Sequence, residues 1–82
     1  MKKIVFYGSG NISQALISGL ISSGFKKSFM EFIDRNEINS RKTKKLGATK
    51  TNLKAIDSKS IIFLGVKPKD AMSAYIEICS VI

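Results

Sequence analysis

Residues 1–13 read Met-Lys-Lys-Ile-Val-Phe-Tyr-Gly-Ser-Gly-Asn-Ile-Ser, and the next eleven, 14–24, read Gln-Ala-Leu-Ile-Ser-Gly-Leu-Ile-Ser-Ser-Gly. A short apolar run is followed by two glycines with one residue between them, and then by a segment of helical period. Strand, glycine turn and helix in that order form the context in which G-x-G signals binding of a dinucleotide pyrophosphate. Gly8 permits the tight turn, and Gly10, without a Cβ, lets the backbone approach a phosphate. The amides that open the helix lack intrahelical partners and carry the positive end of its dipole, so they favour an anion. The third glycine of G-x-G-x-x-G is replaced by Ser13, a side chain small enough for close helix–strand packing.

The first strand spans Lys3 to Tyr7. Its apolar residues run without alternation, as in a parallel strand covered on both faces. The first helix is expected over Asn11–Ser23. Ile12, Ala15, Leu16, Gly19, Leu20 and Ser23 form one stripe, widened by Ile17 and Ile21. Gly19 in mid-helix implies close approach to the sheet, and Gly24 caps the C-terminus. A basic loop, Phe25–Ser28, precedes a second strand over Phe29–Ile33. Asn36 is placed to cap a second helix that runs to about Leu46 and stops at Gly47. Its apolar anchors are Ile38 and Leu46, and it is expected to be the most exposed and least stable helix. A short third strand falls at Ala48–Lys50, and a helical turn or two at Asn52–Asp57. Ser60–Val66 is a fourth strand, ended by Lys67-Pro68, because proline offers no N–H to the ladder. A last helix covers Asp70 to about Ser80, with Ala71, Ala74, Tyr75 and Ile78 at i, i+3, i+4 and i+7.

Alternating strands and helices imply an α/β fold, a Rossmann-like parallel sheet with helices on both faces, incomplete at about four strands. Right-handed crossovers place strands one to three on one side and the fourth beyond the first. The ligand-binding switch point then lies between strands one and four.

At 82 residues, with 44% hydrophobic and 24% charged residues, the chain has the size and composition of one small globular domain. We assign residues 1–82 to a single dinucleotide-binding domain. The net charge of +8 and a pI near 9.9 suit nucleic acid, a membrane surface or a phosphorylated ligand. No nucleic-acid reading element is recognisable, and most of the lysines read as a solvated surface. One cysteine and no histidine exclude an internal disulfide and a Cys/His zinc cluster. Cys79 is expected to be a buried small hydrophobe. The run Ile4–Tyr7 is too short for a signal peptide, and no stretch approaches the ~20 apolar residues of a membrane span, so a cytoplasmic location is expected.

A second constellation follows the second strand. Asp34 stands 24 positions past Gly10 (residue 34 against residue 10), near the spacing at which an acidic residue receives the ribose hydroxyls of NAD. Arg35 presents planar, phosphate-matched donors for the 2′-phosphate of NADP. The two argue in opposite directions. The balance favours NADP, with NAD possible, because charge-assisted arginine contacts are the stronger. Arg41, Lys42, Lys44 and Lys45 add long-range attraction. The third constellation, Gly65-Val66-Lys67-Pro68, leaves the fourth strand beside the glycine turn.

Gly8-Ser9-Gly10-Asn11-Ile12 with Ala15, Asp34-Arg35-Asn36, and Phe63-Leu64-Gly65-Val66-Lys67-Pro68 together resemble the cofactor domain of pyrroline-5-carboxylate reductase. The glycine-asparagine turn alone is shared with a wider group that includes deazaflavin-dependent NADP reductases. The resemblance covers nearly the whole chain. It implies reduction of 1-pyrroline-5-carboxylate to proline with NADPH or NADH, the last step of proline biosynthesis. Cofactor contacts are implied for Tyr7, Gly8, Ser9, Gly10, Asn11 and Ile12 at the pyrophosphate, and for Asp34, Arg35 and Asn36 at the adenosine ribose. They are also implied for Asn52, and for Gly65, Val66, Lys67 and Pro68 at the nicotinamide. No residue of the chain is assigned a catalytic role, and no metal is expected.

The family's helical domain, which mediates oligomerisation and supplies most of the substrate pocket, has no counterpart here, so the isolated chain is expected to be inactive. The implied partner is the small-molecule substrate, with neither nucleic acid nor membrane. Two alternatives fit the same residues: a free-standing nucleotide-binding or regulatory module, and a related NADP-dependent reductase with another substrate.

Overall fold

The computed structural model describes residues 3–56 and 59–80. Four parallel strands form one sheet: β1 (Ile4–Tyr7), β2 (Met30–Ile33), β3 (Thr49–Lys50) and β4 (Ile61–Leu64), in the order β3-β2-β1-β4. Helices α1 (Asn11–Ser22), α2 (Glu37–Leu46) and α3 (Pro68–Cys79) complete it, with 3₁₀ turns at Lys27–Phe29 and Leu53–Ala55. This is the Rossmann-like half-sheet that the alternation of elements predicted. Asp57, the expected end of the helical turn after Asn52, lies outside the described residues.

Register is uniform across the centre. Phe6 pairs with Phe32 on one side and Phe63 on the other. Side chains alternate faces along a strand, so Phe6 and its partners share one face. There Phe6, Met30 and Phe32 pack with Ile17 of α1 and with Ala48. The rings of Phe6 and Phe63 lie 5.7 Å apart, tilted by 58°. Tyr7 points to the opposite face and donates a 2.8 Å hydrogen bond to Glu77, which places α3 on that face. Both faces of β1 are thereby covered, as its unbroken apolar run implied.

Helix ends follow the predicted punctuation. The Asn36 side chain accepts from the Asn39 amide, and Gly47 closes α2 at φ +117°. Gly24 follows α1 at φ +95°, donating to the Ile21 carbonyl while Phe25 donates to that of Leu20. The β4 strand stops at Leu64, short of the expected Val66, and α3 starts two residues before the expected Asp70, at Pro68. At that position its missing N–H has no intrahelical partner to lose.

The helix faces differ from expectation in four places. On α1 the buried residues are Ser13 and Ile17, flanked by half-buried Leu20 and Ile21. Ile12 is 71% and Leu16 39% exposed. Positions 13, 17, 20 and 21 form an alternative stripe one residue round from the predicted one. A polar residue at its head conceals it. Gly19 faces outward, with nothing within 4 Å of where a Cβ would stand, so it makes no close approach to the sheet. On α2, Ile38 is exposed and Ser40 and Thr43 are buried instead, hydrogen-bonded to backbone carbonyls. On α3, Ala74 and Ile78 turn inward. Tyr75 and Cys79 fall with Met72 and Ile76 on an exposed apolar stripe.

Candidate functional site

The glycine turn lies where β1 hands over to α1. Gly8 adopts φ +95°, and a Cβ there would lie 2.8 Å from the Gly65 carbonyl oxygen. It must be glycine on grounds of both conformation and space. Gly65 is its counterpart. A Cβ on Gly65 would collide with Ser13 Oγ and lie 2.8 Å from the Gly8 carbonyl oxygen. Ser13, fully buried, donates to that same carbonyl at 2.6 Å. The space released by a missing third glycine is therefore supplied across the sheet by Gly65. Helix and strand still meet closely with a serine in the motif.

Gly10 is different. Its φ of −73° is open to any residue, and nothing lies within 4 Å of a Cβ placed on it. Among the described residues no contact requires a glycine here, and the bare backbone faces open space. Gly10 is also the N-cap of α1, with no side-chain cap bond and no acidic residue in the first turn. By contrast, Asn36 caps α2, and Asn52 Oδ1 accepts from the Ala55 amide of its short turn. The α1 terminus alone of these three presents a bare backbone and an unneutralised dipole end. That is the donor set a pyrophosphate requires.

Two clefts flank the turn and share Val66. One, of about 560 Å³, is lined by Tyr7, Gly8, Asp34, Arg35, Asn52 and Val66, together with Ile33, Lys50, Thr51, Leu53, Asp70 and Glu77. The other, of about 450 Å³, is lined by Gly10, Asn11, Ile12, Gly65, Val66 and Lys67, with Phe63 and Leu64. Eleven of the fourteen sequence-selected residues thus border these two adjoining clefts at the carboxyl ends of the four strands. Ser9 is buried beneath it. The Asn36 side chain caps α2 and lines neither cleft. Pro68 is the first residue of α3.

Charge in the larger cleft is divided by element. Arg35 and Lys50 come from the ends of β2 and β3, and Asp70 and Glu77 from α3. The two acids fall at i and i+7, a spacing that places them on one helix face and that motif reading passes over. Burial raises the Tyr7 hydroxyl above its usual pKa of 10, and the hydrogen bond and charge of Glu77 add to this, while Arg35 opposes it. Asp34 is held below its ordinary 3.8. Burial alone would raise it, but the amide of Asn36, the amide and hydroxyl of Ser9, and Asn39 together outweigh that effect.

This sheet, with a bare glycine turn at its switch point, defines a nucleotide-binding domain of Rossmann type. Over residues 3–80 the chain matches the family described as NADP oxidoreductase coenzyme F420-dependent, and it belongs to that family. It is therefore an oxidoreductase-family nucleotide-binding module. No curated protein and no solved structure matches it.

Proposed function

We propose that the chain binds NADP(H) as the cofactor domain of a reductase acting on 1-pyrroline-5-carboxylate. The observation that carries the binding reading is Gly10, a glycine that neither backbone conformation nor packing demands, at the uncapped end of α1. Asn11 and Ile12 continue the turn and offer first-turn amides to the pyrophosphate. Arg35 and Lys50 favour the 2′-phosphate of NADP. Arg35 makes the planar contact, and Lys50 acts as a point charge.

When bound, the dinucleotide supplies a hydride for reduction of a carbon–nitrogen double bond. The chain's part is to hold and orient it. Gly65 to Lys67 line the cleft on the β4 side, the place that the resemblance gives to the nicotinamide. The cyclic-imine substrate is supported by the glycine-asparagine turn together with Val66-Lys67-Pro68, at the carboxyl ends of neighbouring strands. We also place the protein in the cytoplasm. Among the described residues no helix is long and apolar enough to cross a membrane.

Calorimetric titration of NADPH and NADH tests the cofactor. NADPH is expected to bind more tightly, and Arg35→Ala to remove most of the difference. Equal affinities, or an unchanged preference in the variant, would refute the NADP assignment.

A further inference from the structure

We propose that Asp34 is a positioning residue that holds the pyrophosphate turn in shape, and that it does not read the adenosine ribose. This rests on the dinucleotide reading of the site. Three hydrogen bonds carry it. Asp34 Oδ2 accepts from both the amide and the hydroxyl of Ser9, each at 2.8 Å, and Oδ1 accepts from the Asn36 amide at 2.8 Å. A carboxylate offers about four acceptor sites, and three of these are filled by the protein itself. A ribose diol could be received by Oδ2 only by displacing Ser9.

Ser9 in turn is a buried junction. Its carbonyl accepts from Gln14 Nε2 at 2.7 Å and from Thr43 Oγ1 at 3.5 Å. Every polar group of Ser9 is thus engaged, by β2's end, by α1 and by α2. Next to it the Gly8 amide donates to the Ile33 carbonyl at 2.8 Å. The direction in which Gly10 and the first amides of α1 point is therefore set from below by Asp34. Loss of the carboxylate would strand two buried donors on Ser9.

In Asp34→Asn the side chain keeps one acceptor oxygen. If it turns this to Ser9, its NH₂ group meets the Asn36 amide donor to donor. If it turns the other way, NH₂ meets both Ser9 donors. Neither orientation satisfies both ends. Ser9→Ala removes one of the two Oδ2 bonds and should give a smaller effect of the same kind.

The test uses three probes: inorganic pyrophosphate, NADH and NADPH. Pyrophosphate carries no ribose, so a ribose reader and a turn brace differ in their effect on it. Asp34→Asn is expected to weaken all three by a similar factor, on the order of tenfold, leaving the NADPH-to-NADH ratio unchanged. Ser9→Ala should follow the same pattern at smaller amplitude, and it serves if Asp34→Asn does not fold. A selective loss of the two nucleotides with unchanged pyrophosphate binding in either variant would overturn the proposal.

A ligand-free measurement separates this from the dinucleotide reading. In the wild-type chain the Ser9 amide resonance should shift with protonation of Asp34. A flat Ser9 amide across the acid range would overturn the brace. If that shift is present but neither nucleotide binds wild type, the dinucleotide reading fails and the brace stands as a feature of the turn.

Discussion

Replacing Gly65 by alanine tests the packing that holds the turn against β4. The backbone at Gly65 does not lie in the left-handed region, so the substitution costs nothing in conformation and the whole effect is steric. The new methyl collides with Ser13 Oγ and comes within 2.8 Å of the Gly8 carbonyl oxygen. Ser13 is fully buried and cannot swing to solvent. The hydroxyl must give up its bond to Gly8, or β4 must move away. Overpacking of this kind costs ~1–3 kcal/mol. Loss of the buried hydrogen bond adds about 1 kcal/mol. We therefore expect destabilisation of roughly 2–4 kcal/mol, against a total of about 4–12 kcal/mol for a domain of this length.

Urea unfolding followed by far-UV circular dichroism reads this directly, since the chain has no tryptophan. The midpoint should fall with little change in slope, and Tm should drop by at least ~10 °C. The partner variant Ser13→Ala removes the oxygen that collides. In the double variant Gly65→Ala/Ser13→Ala the loss should be smaller than the sum of the singles by more than ~1 kcal/mol. Additive losses, or a Gly65→Ala variant as stable as wild type, would refute the close packing of serine against glycine.

Other outcomes follow from the same geometry. Asn36→Ala should destabilise by about 1 kcal/mol through loss of the α2 cap, and a calorimetric NADPH-to-NADH ratio should not change. Tyr7→Phe should cost ~1 kcal/mol. The difference from wild type should fade at alkaline pH, because the raised hydroxyl pKa gives a contribution present below 10 and lost as pH rises through the folded value. Asp34 works in the opposite sense. Its lowered pKa gives stability present above 3.8 and lost as pH falls through the folded value. Acid titration of wild type and Asp34→Asn should therefore converge at the low end.

The sheet order and the left-handed turn at Gly8 are legible in the sequence because they depend on local rules. Alternating elements and handedness place β4 beside β1. The spacing of Gly8 and Gly10 fixes the turn. The side of each helix that meets the sheet depends on non-local packing. On α1 two apolar stripes overlap, and the buried one begins with Ser13, whose hydroxyl is satisfied by Gly8 and accommodated by Gly65. Ser9 and Asp34 lie 25 residues apart in sequence, and nothing in their spacing announces that one carboxylate receives two donors from one serine. Ile38 has the character of an anchor for α2, yet it is exposed; Leu46 packs on the core, and Ser40 and Thr43 are buried with their hydroxyls bonded to backbone carbonyls. Asp70 and Glu77 enter the cleft unforeseen because the apolar stripe of α3 dominates its pattern.

The most direct test of the dinucleotide site is a titration of NADPH into wild type and into Gly10→Val. A Cβ at residue 10 has nothing within 4 Å among the described residues, so the variant should keep the wild-type circular dichroism spectrum and unfold within ~1 kcal/mol of it. Wild type should show saturable one-to-one binding that Gly10→Val abolishes. Binding of equal strength by the variant, or no binding by wild type at millimolar NADPH, would contradict the site.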